Sequence, residues 1–183
     1  MSTVERRPQP YAGTERELLL DWLEFQRETL VAKCSGMTGD ALNAPAAPPS
    51  TLTLGRLLRH LADMERMDAQ ILSGEPVTSL YEEPASGDGN GDGTGGSDGD
   101  GDPEGGMYDW SLYDVDDDAL AVWRAQCERL RGVVANMDLD DRAPGDFAVL
   151  TTRSLLLALV MEYARHNGHA DLLRERIDGR VGY

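Results

Sequence analysis

The sequence predicts an all-α fold, an antiparallel four-helix bundle with a long disordered acidic insert in the connection between its second and third helices. Three observations carry this. Four stretches repeat apolar residues at helical spacing. Those stretches carry polar starts or glycine stops, and no stretch reads convincingly as a strand. The composition agrees, with 40% hydrophobic but only 6% aromatic residues among 183. That balance suits one helix-rich soluble domain with a real core better than a β-sandwich. The domain is expected over 14–183, preceded by a disordered arm over 1–13 that contains two prolines.

The first helix is expected over roughly 15–35. Thr14 followed three residues later by Glu17 reads as a capping box. Leu18, Trp22, Phe25 and Thr29 then recur at helical spacing, and Gly36 and Gly39 end the run. The segment NAPAAPPS at 43–50 cannot continue a helix. The second helix is expected over roughly 54–73, capped by Thr53. At about 100° per residue, Leu57, Met64, Met67 and Ile71 lie within about 60° of His60, so that histidine sits on an apolar face. The third helix is expected over roughly 117–136. Its stripe is Leu120, Trp123, Cys127, Leu130 and Val134, with Asp116 to Asp118 at the positive N-terminal end. The fourth is expected over roughly 153–177, stopped by Asp178-Gly179. The long connection over 74–115 can cross between distant corners of the bundle.

The insert is GDGNGDGTGGSDGDGDPEGG, residues 87–106, half of it glycine. It holds no apolar residue to bury, so it cannot recover its ordering entropy and is expected to be disordered. Asp88, Asn90, Asp92 and Gly93 match the opening of a calcium loop. The bidentate twelfth position is Gly99, however, and a second start at Asp98 meets Pro103 where glycine is required. A solvated acidic linker is the better reading. The net charge is −16, and no basic footprint is visible, which excludes nucleic acid as a partner. No apolar run approaches the ~20 residues that span a bilayer. The start MSTVERRPQPYAG lacks the apolar core of a secretion signal, so a cytoplasmic location is expected. Cys34 and Cys127 show no metal-binding spacing and read as small buried hydrophobes.

Chemistry concentrates in MEYARHNGHADLLRER, residues 161–176. With Glu162 at 0°, His166 falls near 40° and His169 near −20° on the same helix. Leu155, Leu159 and Leu173 fall on that face too. An ionised glutamate on a core face is costly unless paired or bound to a cation. Glu162 and His166 are one turn apart, the spacing at which two side chains of one helix can hold one ion. His60, on the apolar face of another helix, could complete a set of two imidazoles and one carboxylate for a first-row divalent metal. The residues also allow a hydrogen-bonded core cluster, with Glu162 paired to Arg165, His166 or an arginine from another helix. His169 could serve as an outer donor or sit near the negative end of the helix.

Together, LTLGRLLRHLADMER (52–66) and MEYARHNGHADLLRERIDG (161–179) resemble the DinB-like superfamily. The likeness is greatest to its mainly actinobacterial uncharacterised branch, related to the mycothiol-dependent maleylpyruvate isomerases. The resemblance implies a four-helix bundle and a divalent metal, Zn, Ni or Fe, held by His60, Glu162 and His166. His169 falls where relatives often carry Gln or Asp, and stays a neighbour or alternative ligand. The resemblance covers the second and fourth helices well and the first fairly, but not 74–115. It also implies a homodimer.

The activity so implied is a metal-dependent transferase for a thiol of the mycothiol or bacillithiol type, or a related hydrolase. The substrates would be a small-molecule thiol and an electrophile. The alternatives are a non-catalytic, stress-related bundle that holds metal or a small ligand, and a purely structural bundle with a polar cluster.

Overall fold

The computed structural model describes residues 6–37, 39–81, 113 and 118–182. The insert expected over 87–106 and residues 1–5 of the arm lie outside the described residues. The described elements are all helical: α1 (Glu15–Cys34), α2 (Gly39–Leu42), α3 (Leu54–Ser73), α4 (Ala119–Val134) and α5 (Thr152–Asp178). A 3-10 turn covers Gly145–Phe147. Four long helices thus form where the apolar spacing predicts them. The single-turn α2, opened by Gly39, is an addition.

Local chemistry sets the boundaries. Thr14 and Glu17 form the capping box that starts α1, with the Thr14 amide donating to Glu17 Oε2 at 2.7 Å. Thr53, Asp118 and Thr151 each accept a backbone N–H at the start of α3, α4 and α5. Such caps are worth roughly 1 kcal/mol each. Gly74 and Gly179 end α3 and α5 in the left-handed conformation, at φ 73° and 76°. At Gly74 a side chain is also excluded by space, because a Cβ would lie 2.7 Å from Pro144 Cγ.

Side-chain pairs fix the direction of each helix. Glu15 meets Arg153 and Lys33 meets Asp171, so α1 and α5 run the same way. Arg16 donates to the carbonyls of Val134 and Met137, and Glu24 meets Arg131, so α1 and α4 are antiparallel. Glu65 contacts Cys127 and Glu75 contacts Arg129, so α3 and α4 run together. One parallel pair therefore opposes the other. A parallel pair cannot be joined by a tight turn, and the long connection after α3 supplies the crossover.

The core is aliphatic and rich in leucine. Leu23, Leu30, Leu57, Leu61, Leu130, Leu156 and Leu173 are all at most 2% exposed. Burying each leucine contributes roughly 1.5–3 kcal/mol. The phase of α1 differs from the expected stripe. Of that stripe Thr29 is buried, while Leu18, Trp22 and Phe25 are half-buried, and the inward line instead runs through Leu23, Arg27, Leu30 and Cys34. The reason is a charged residue in the core: Arg27 sits inside because Glu65 of α3 meets it there. Residues 6–13 of the arm carry no helix and rest on the other face of α1. Tyr11 packs edge-on to Trp22, Arg6 lies over the Phe25 ring, and Arg7 Nε donates to Glu28 at 2.9 Å.

Candidate metal centre

Three side chains converge between α3 and α5. His60 points inward from α3, among Leu57, Leu58 and Leu61, which share its burial. Glu162 and His166 project from successive turns of α5, on the face that also buries Leu155, Leu159 and Leu173. One potential ligand atom from each of the three lies within 4.8 Å of the others. His166 Nε2 is 2.8 Å from Glu162 Oε1, and His60 Nε2 is 3.1 Å from that same oxygen. The two imidazole side chains are at most 5% exposed, whereas Glu162 is 19% exposed. The cluster therefore meets solvent on the Glu162 side.

The surroundings set the protonation states. Burial pushes His166 down, His60 beside it adds to the effect, and the Glu162 carboxylate only partly offsets it; the result is about 4. At neutral pH His166 is an uncharged imidazole. Burial alone would raise Glu162, but hydrogen bonds from His60 and His166 outweigh it and hold the carboxyl below its usual range. Arg165 Nη1 approaches the second oxygen, Glu162 Oε2, at 3.3 Å.

The outer faces of both imidazoles are also engaged. His60 Nδ1 lies 3.4 Å from the Tyr113 hydroxyl, and His166 Nδ1 lies 3.2 Å from His169 Nδ1. His169 thus contacts His166 from behind. Tyr113 stacks edge-on against His60 with centroids 5.8 Å apart, and Tyr81 backs Tyr113 at 5.4 Å. Tyr113 was not legible in the sequence, since no periodic pattern surrounds it.

This donor set fits a divalent ion. Glu162 is ionised and His166 neutral at physiological pH, the states in which these groups ligate. An imidazole ligating through Nε2 carries its hydrogen on Nδ1, and that hydrogen needs an acceptor. The Tyr113 oxygen and His169 Nδ1 are placed to accept it. Two imidazoles and one carboxylate are a set that suits zinc and its first-row neighbours.

Beneath the cluster is a second polar group that the sequence did not disclose. Tyr163 OH donates to Glu65 Oε1 at 2.6 Å and accepts from Trp123 Nε1 at 2.7 Å. Arg27 Nε donates to the same Glu65 oxygen at 2.8 Å, and Cys127 Sγ lies 3.4 Å from it. Burial pushes the thiols of Cys34 and Cys127 up, to about 12 in the case of Cys34. Both are inert at neutral pH, as buried hydrophobes would be. Elsewhere, a groove of about 910 Å3 separates α1 from α4. None of the three converging residues lines it, so its volume gives no reason to move the chemistry there.

The chain matches the family described as mycothiol-S-transferase over residues 18–179. Its fold is similar to the crystal structure of a conserved protein of locus from Enterococcus faecalis, with a TM-score of 0.63. That likeness covers 92% of this chain and 100% of the other at 15% identity, and so speaks for the fold alone. No curated protein matches at a significant level.

Proposed function

The chain belongs to the mycothiol-S-transferase family, and from that premise we propose that it is a metal-dependent S-transferase. It would join the sulfur of a small thiol of the mycothiol type to an electrophilic carbon. The observation that carries the metal part of this reading is the convergence of His60 Nε2 and His166 Nε2 on one oxygen of Glu162.

In this reading His60, Glu162 and His166 hold a first-row divalent ion. When bound, such an ion supplies Lewis-acid character that lowers the pKa of a thiol at the site. The protein supplies the rest. His60 and His166 are buried, and that burial fixes both rings before the substrate arrives. With an ion held at each Nε2, the ring hydrogens would lie on Nδ1, where the Tyr113 oxygen and His169 Nδ1 are placed to accept them. Arg165 holds Glu162 Oε2 and leaves Oε1 turned to the imidazoles. In the reaction class the family name implies, the thiol passes its proton to water, the sulfur forms a bond to carbon with its electron pair, and the bond from that carbon to the leaving group breaks, so that the leaving group takes that bond's pair.

The test is a thiol-consumption assay with purified protein, a mycothiol-type thiol and a panel of electrophiles, before and after chelation. Thiol loss that needs the protein, stops on chelation and returns with added metal supports the proposal. Metal binding without any thiol loss leaves a non-catalytic binding bundle instead.

A further inference from the structure

We infer that the buried Glu65–Tyr163 hydrogen bond is a positioning device for the metal centre, setting the register of α3 against α5. The inference rests on the metal reading above. Glu162 and His166 share one helix, so their separation is fixed by helix geometry. His60 is on α3, and its distance to the other two depends on how α3 and α5 are rotated and slid against each other. A slip of one residue moves a helical side chain by about 1.5 Å and turns it by about 100°.

The aliphatic core does little to forbid such slips. Leucine side chains of equal volume exchange places at modest cost, and leucine-rich cores specify a register poorly. A hydrogen bond is directional and does specify it. Glu65 follows His60 by five residues on α3, and Tyr163 is the neighbour of Glu162 on α5. Two bonds therefore tie the same pair of helices: His60 Nε2 to Glu162 Oε1 at 3.1 Å, and Tyr163 OH to Glu65 Oε1 at 2.6 Å. Two separate points of attachment fix both rotation and translation.

The other two helices brace the second point. Arg27 of α1 reaches both oxygens of Glu65, and Trp123 of α4 donates to the Tyr163 oxygen. All four side chains are at most 3% exposed. The Tyr163 hydroxyl uses its donor on Glu65 and an acceptor site on Trp123. A buried ionic group of this kind is a poor source of stability compared with an apolar replacement. Specifying one arrangement of the helices is a role that apolar replacements could not fill.

The experiment compares metal affinity in Tyr163→Phe and in a core control, Val134→Ala, by titration with Zn2+. Co2+ is titrated in parallel, because its absorption bands report coordination geometry. Tyr163→Phe keeps the ring that fills the core, so the helices remain by circular dichroism. The expected result is a 10- to 100-fold loss of affinity with altered Co2+ bands, the scale seen when support behind a ligand is removed. Val134→Ala, buried at the far end of α4, should bind as wild type despite a lower melting temperature. Wild-type affinity and bands in Tyr163→Phe overturn the inference alone. Equal losses in both variants also overturn it, since affinity would then merely follow stability. A wild-type protein that binds no metal overturns the metal reading and this inference with it.

Discussion

The imidazoles of His60 and His166 stand edge to face, with centroids 4.8 Å apart and planes at 69°. Two imidazolium ions could not share that space, and His60 is one cause of the depressed pKa of His166. Protonation of His166 as pH falls through about 4 therefore competes with any bound cation. Metal retention should be flat around neutrality and collapse in that acidic range. Metal content after equilibration at a series of pH values checks this, and retention unchanged at pH 3 would contradict it.

The two neighbours of His166 on α5 should differ in weight. Glu162 meets both other members of the cluster, while His169 touches only the far side of His166. Glu162→Gln should remove most metal affinity, and His169→Gln should cost roughly 10- to 100-fold. Calorimetric titration orders the two. If His169→Gln abolishes binding and Glu162→Gln barely changes it, then the ligands are His60, His166 and His169.

Asp68 gives stability a slope of defined sign. Burial, helped by the charge of Glu65, pushes its carboxyl up to about 8 from an ordinary 3.8. Between those values the unfolded chain has lost the proton and the folded chain has kept it. Stability therefore falls as pH rises from about 4 to about 8. Asp68→Asn removes the titration and should raise the melting temperature at pH 8 by about 5–10 °C, but change it little at pH 4. An equal change at both pH values would show that Asp68 does not titrate in this window.

Breaking the core ion pair should cost more than deleting it. Glu65→Leu leaves the buried Arg27 guanidinium with only the Glu24 carboxylate for a partner and should destabilise the protein by about 3 kcal/mol. Adding Arg27→Met should restore most of that loss in urea unfolding. The double variant should nevertheless keep weakened metal binding, because the bond to Tyr163 is still gone. A double variant as unstable as the single one would show that the cluster is held by packing.

Where the sequence could be read and where it could not follows from the range of each interaction. Helix boundaries are local events: Thr14 with Glu17, Thr53 with Arg56 and Gly179 after Asp178 lie within a few residues, and each end falls within about two residues of expectation. The convergence of Glu162 and His166 is equally local, since one helix carries both. His60 was reachable because its apolar face pointed it inward. The phase of α1 was not, because Arg27 looks like a surface residue until Glu65 of another helix is placed beside it. Tyr113 and the Tyr163–Trp123 pair depend in the same way on contacts between distant segments. For residues 87–106 the composition alone speaks. Replacing them with a short Gly/Ser linker should shift the melting temperature little, because loop closure changes by only about 0.6 kcal/mol per doubling of length. A large loss of helical signal would show that the insert packs on the domain.

His60, Glu162 and His166 are proposed to hold one divalent ion together. The most direct measurement is elemental analysis of wild type and His166→Ala after dialysis against metal-free buffer and reloading with a single divalent ion. About one ion per wild-type chain is expected. His166→Ala should hold none above background, with helical content unchanged because the bundle core is aliphatic. Stoichiometric metal in His166→Ala, or none in wild type, would contradict that proposal.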